Sequence, residues 1–365
     1  MDLLNTASDF LFGPEPTVPD PARRPVAPGN AAEAADIATR ERGDGVLGWM
    51  GNVADGLGHE GLLETLMDPA GVADRAAARR ELAGRFDVRD PDGLMCSDDD
   101  PGAEAENVVS PEEYERIVHE YSDIRMGRSD IAFNTEGLSD DEAAAFRQDS
   151  MNDIASIMQT SGGRTLIDDL AHNEHDTTPD GVDNPTHRTT TLSPLFNTNS
   201  SGNYDPTLGR TNTNGFAAPI DGAHQSDGVG TDSRVRFNPG DTPIAPNNYD
   251  GAQDEWLPWR SDVLLYHELV HSRDQTRGTF DASPVAAGDG GDPFDLGLDS
   301  RGNPLRRGEH RAAGLGMYAD EPISENAYRT ARRGISVGAR DGDATMPNRD
   351  TYYYHSGSTN PPPGP

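Results

Sequence analysis

The stretch Ser261-Asp-Val-Leu-Leu-Tyr-His-Glu-Leu-Val-His271 constrains this chain more than any other. Val263, Leu264, Leu265, Leu269 and Val270 surround the segment instead of striping it, so a helix here is buried on nearly every side. It nevertheless carries His267, Glu268 and His271, and polar groups buried without partners cost several kcal/mol. Residues four apart share a helix face, which brings both imidazoles to one point while Glu268 leans toward the same space. Neutral imidazole nitrogen suits zinc, whose open position holds a water of lowered pKa, and a neighbouring carboxylate can take that water's proton. The bland alternative is a histidine pair hydrogen-bonded to backbone.

Two histidines and a water leave zinc one ligand short. At HExxHxxGxxH spacing the chain has Asp274 and Arg277, so a downstream carboxylate is expected instead. Glu309 is favoured, on a short helix whose small residues (Gly308-Glu-His-Arg-Ala-Ala-Gly314) permit close approach. Glu325, behind the helix cap Ser324, is the second candidate; Asp320, Glu321 and His310 are weaker ones. Arg329 or Tyr328 could stabilise an oxyanion, as could Tyr352 to Tyr354. The competing role for Arg329 is an ion pair with Glu325, four residues earlier on the same helix.

Charge and composition narrow the setting. The formal charge is −33, from 63 acidic against 30 basic residues, a field that repels nucleic acid and anionic lipid. Every basic residue is Arg, with no Lys. A GC-rich coding background, adaptation to high salt, and work inside a foreign cell where ubiquitin needs a lysine each account for that bias. Hydrophobic residues make up only 33 %, beside 40 Gly and 28 Pro, so part of the length is expected to be flexible. Cys96, alone and set in acidic sequence, can form neither an internal disulfide nor a cysteine zinc cluster. The first residues have neither a basic start nor a long apolar run, so a Sec-type signal is not expected.

Along the chain, 13–45 reads as a linker. Helical periodicity runs from Val46 to Arg85, and the run from Asp74 to Phe86 is alanine-rich. An acidic, Gly/Pro-punctuated stretch from Asp87 to Asn107 marks a boundary. Ser110-Pro-Glu-Glu113 and Ser139-Asp-Asp-Glu142 are helix starts. A break at Gly162-Gly163 precedes a short helix around Leu166–Leu170. Arg188–Leu192 and Arg234–Phe237 are the best strands, and the Ser/Thr/Asn/Gly-rich stretch 196–232 between them reads as a surface loop. His172, His175 and His187 fall in polar sequence and read as exposed. The Asp289–Ser300 run reads as a solvated loop at the cleft.

Three elements together carry a family resemblance: His267-Glu-Leu-Val-His271, Glu309-His-Arg-Ala-Ala-Gly314 and Glu325-Asn-Ala-Tyr-Arg329. The chain resembles the NleD-like zinc metallopeptidases of bacterial injected effectors, peptidase family M91, over roughly residues 140 to 345. It is similar, more distantly, to the clostridial neurotoxin light chains, in which Gly308 is replaced by a second glutamate. The resemblance implies a host-directed zinc endopeptidase. The long insertion 279–306, the acidity and the N-terminal extension depart from the family pattern.

The fold expected is α+β, a zincin-like metallopeptidase with a small sheet packed on the HExxH helix. Residues 1–107 form a partly disordered or helical N-terminal region, 108–346 the peptidase domain and 347–365 a flexible tail. His267, His271 and Glu309 are expected to hold Zn2+, with Glu268 as general base and Arg329 as a catalytic or supporting group. The expected partners are a protein substrate in a target cell and a secretion or contractile injection apparatus, with no nucleic acid and no membrane insertion. A monomer leaving its cell by a non-Sec route is expected. Two rivals stand beside this reading: a secreted or housekeeping metalloprotease of a salt-adapted microbe, and an inactive structural or cargo component of a particle.

Overall fold

The alanine-rich run does fold as a helix, α1 (Pro69–Leu82), in a computed structural model that describes residues 68–89, 106–175, 186–210, 215–239, 260–285, 306–333, 335 and 348. The chain divides into two units, Met1–Pro69 and Ala70–Pro365, and the site described below belongs to the second. Several readings lie outside the described residues: the linker at 13–45, the periodicity before Asp68, Cys96, the Asp289–Ser300 run, Tyr352 to Tyr354 and the C-terminal tail after Asn348.

A two-stranded parallel pair, β1 (Asp87–Val88) with β2 (Val108–Val109), joins α1 to α2 (Pro111–Met126). Ser110 caps α2 as its sequence implies, accepting from the Glu113 N–H at 3.1 Å, and Gly127 closes it in the left-handed conformation. Arg125 on α2 grips α1 through Asp74 at 2.7 Å and Glu81 at 2.6 Å. Strand β3 (Ile131–Phe133) follows, then α3 (Asp140–Ile157), opened by the full Ser139/Glu142 capping box.

The expected break at Gly162-Gly163 lies two residues earlier. Thr160 caps α4 (Ser161–Ala171), and both glycines sit inside its first turn. They are needed there for space: a Cβ on Gly163 would lie 1.9 Å from the Ile157 carbonyl oxygen. A small antiparallel pair, β4 (Glu174–His175) with β5 (Thr186–His187), leads into β6 (Thr190–Pro194).

The central sheet has four strands in the order β3-β6-β8-β7, with β7 spanning Phe216–Pro219 and β8 spanning Ser233–Phe237. β3, β6 and β8 are parallel, and β7 runs antiparallel to β8 at the edge. β7 corrects the reading of 196–232 as loop throughout. Phe-Ala-Ala-Pro is too short to alternate visibly, and its Pro is tolerated because edge strands have a free N–H side. Phe216 stacks on Tyr204 with centroids 5.5 Å apart, and the Arg236 guanidinium lies 4.8 Å from the Tyr204 ring centre.

The HExxH helix, α5 (Ser261–Thr276), is buried along almost its whole length. The sheet presses on one side: Thr190 and Ser272 hydroxyls meet at 2.8 Å, and Ser233 donates to Gln275 at 2.7 Å. Helices α3 and α4 supply the apolar packing, through Ile154, Ile157, Leu166 and Leu170 against Val263 and Leu269 in one continuous core. Two short helices, α6 (Arg307–Ala313) and α7 (Glu325–Arg333), close the far side. Mixed helices around a small sheet make this an α+β fold. Among the described residues no helix is long and apolar enough to cross a membrane.

Candidate active site

The helical repeat of α5 brings His267 and His271 together as their spacing requires. Their rings meet edge-on at 81° with centroids 4.8 Å apart, and their Nε2 atoms are 3.1 Å apart. Glu309 arrives from α6, with Oε2 3.1 Å from the His271 Nε2 and 3.7 Å from that of His267. The three donor atoms lie within 4.8 Å of one another, in an arrangement able to hold a metal ion. Two imidazole nitrogens facing each other and a carboxylate cannot all satisfy one another; a cation satisfies all three, so the donor set fits zinc.

Packing explains why α6 comes so close. Gly308 stands where a side chain would be impossible: its Cβ would lie 2.5 Å from the Phe280 ring, which itself packs edge-on against His271. Gly314 ends α6 at φ 75°, and a Cβ there would strike the Ser324 hydroxyl at 2.5 Å. Arg311 on α6 reaches Asp274 of α5 at 3.3 Å, fixing the angle from which Glu309 enters.

Glu325 has a different position from Glu309. Its Oε2 is 3.0 Å from the Nδ1 of His267, on the far side of that ring from the Nε2 cluster. Its Oε1 accepts from the Arg329 Nε at 2.8 Å, and both side chains are 0 % exposed. Arg329 therefore meets Glu325, four residues back on α7, and the Tyr328 hydroxyl donates to Asp262 at 2.8 Å. Asp320 and Glu321 do not belong to the converging group, and neither does His310.

Electrostatics follow from this crowding. Burial alone would lower the His267 pKa, but hydrogen bonds to Glu309 and Glu325 outweigh it and lift it to about 9. His271 moves up for the same reasons, with burial opposed by Glu309. Burial would raise the Glu309 carboxyl; the neighbouring imidazoles reverse that and hold it well below the usual range. Glu268 is pushed up by burial, tempered by the two histidines. Its Oε2 accepts the Ala217 N–H at 2.7 Å, and the carbonyl of Ala217 accepts from Gln275 at 3.3 Å. Both backbone groups point off the edge of β7 that faces away from β8, since the β7–β8 pairing uses the alternate residues. No sequence signal pointed to Ala217, because its part depends on where a short edge strand meets α5.

Residues 134–352 match a family of effector proteins, peptidase family M91. The chain belongs to that family. The match begins directly after β3 and takes in everything from α3 through α7, including all three elements of the site; α1, α2 and β1 to β3 lie ahead of it. Among curated proteins the chain has no match.

Proposed function

We propose that this M91 peptidase is a zincin-like, zinc-dependent endopeptidase that cleaves a protein in a target cell, with its ion held by His267, His271 and Glu309. The convergence at 3.1–3.7 Å of two Nε2 atoms from the buried helix α5 and one carboxylate oxygen from α6 carries the reading. Three protein ligands leave tetrahedral zinc one open position, the hallmark of a catalytic site. When bound, zinc supplies Lewis acidity toward a water and a peptide carbonyl.

The chain's own residues do the remaining work. Glu268 accepts the attacking water's proton and returns it to the departing amine, and a carboxyl pKa raised by burial suits both transfers. Glu325 holds His267 by its Nδ1, which leaves Nε2 as the donor facing the cluster. Arg329 is a positioning residue: buried against Glu325, it keeps that carboxylate ionised and oriented. A substrate strand added antiparallel to β7 competes with Glu268 for the Ala217 N–H, so peptide binding and release of the general base are coupled.

The peptidase domain is assigned to 108–346, with 1–107 as the region read by a secretion or contractile injection apparatus and 347–365 as a tail. The protein acts as a monomer reaching its target by a non-Sec route. Membership in an effector family favours this over a housekeeping protease of a salt-adapted microbe. Expression of wild type and Glu268→Ala in target cells, scored for new protein N-termini, tests it. Termini unique to wild type are expected. Identical sets, or purified protein without stoichiometric zinc, would return the chain to an inactive particle component.

A further inference from the structure

A second histidine–carboxylate cluster lies between α2 and α4, on neither the catalytic helix nor the two helices that close over it. Glu120 comes from α2, Asp168 from the last turn of α4, and His172 from the residue that caps α4. One ligand atom of each lies within 4.8 Å of the others. Asp168 and His172 are four apart, the same relation that joins His267 to His271.

Acidic groups gathered at a surface would mean little, but Glu120 is not at the surface. It is 7 % exposed, and its Oε1 has no hydrogen-bond partner. Burial first, and then the Asp168 charge, push its carboxyl pKa up to about 8, with Arg116 opposing only in part. A buried acid placed near a second acid, with one oxygen lacking a hydrogen-bond partner, is costly unless a cation joins them.

We infer that Glu120, Asp168 and His172 form a second metal site, for a divalent first-row transition ion of the zinc or manganese class. Two carboxylates and an imidazole suit such ions, whereas calcium takes six to eight oxygens. α2 precedes the family-matched residues and α4 lies within them, so the ion would staple a helix ahead of the matched segment to one inside it. Its role is structural, and nothing in it depends on the catalytic reading.

Full-length protein is stripped with chelator, dialysed against zinc chloride and measured for zinc per chain and for Tm. Two zinc ions per wild-type chain are expected. His172→Ala, an exposed residue at a helix end, and Glu120→Gln should each lower the count by one. The His267→Ala/His271→Ala chain should also keep one ion, and zinc should raise its Tm until His172→Ala is added. Wild-type zinc content in both His172→Ala and Glu120→Gln would overturn the proposal. So would a single ion per wild-type chain that vanishes with the two α5 histidines, a result that leaves the catalytic reading standing.

Discussion

The two clusters use nearly the same side chains and meet opposite electrostatic conditions. At α5, each carboxylate has a neighbour of complementary charge or a donor: Glu309 faces two imidazoles, Glu325 faces Arg329, and Glu268 takes the Ala217 N–H. Between α2 and α4, Glu120 faces Asp168 and has one oxygen without a hydrogen-bond partner. The pKa directions record the contrast, downward for Glu309 and upward for Glu120. Chemistry at a metal needs a supporting layer that fixes each ligand's orientation, whereas a staple needs only donors from two helices.

The largest effect expected separates the clusters by reactivity. Glu268→Gln should lower peptide turnover by about 10²–10⁴-fold while leaving zinc content unchanged. Residual turnover near wild type would erase the distinction. Next comes the layer behind His267, His271 and Glu309. Arg329→Ala leaves the Glu325 carboxylate buried without its guanidinium, at a cost of about 3–5 kcal/mol in denaturant unfolding. Glu325→Gln should weaken zinc binding by roughly 10–100-fold, read by chelator competition. An unaltered affinity would show that His267 needs no partner at Nδ1.

Ala217→Pro removes the N–H that holds Glu268 and keeps an edge-strand position where proline is tolerated. Because a substrate strand would also take this N–H, loss of one hydrogen bond to the bound peptide predicts roughly a tenfold fall in turnover, less than for Glu268→Gln.

The smallest effects are on stability against pH in the chelated chain. Glu120 has a folded pKa of about 8 against an ordinary 4.5, so its contribution is complete below 4.5 and is lost as pH rises to 8. Glu309 is depressed, so its contribution is present above its ordinary pKa and is lost as pH falls through the folded value. Denaturation midpoints across pH should therefore flatten near neutrality in Glu120→Gln and in the acid range in Glu309→Gln.

Local rules made much of the molecule readable. Ser110 and Ser139 announce their helices because capping is settled within four residues. β6 and β8 are legible because five residues suffice to show β character, while Ile131–Phe133 and Phe216–Pro219 are too short to do so. His172 reads as an exposed residue in polar sequence and is indeed exposed; only the approach of Glu120, 52 positions earlier in the sequence, gives it a possible role.

The sequence by itself determined that two imidazoles and a carboxylate share a buried helix, because a 3.6-residue repeat places them with no help from the rest of the chain. It also narrowed the third donor to a few downstream acids. Tertiary structure alone decided among them: Glu309 meets the Nε2 atoms and Glu325 meets Nδ1, because the angles of α6 and α7 depend on Gly308 against Phe280 and Gly314 against Ser324. Such contacts join residues far apart in sequence, and no local pattern encodes them.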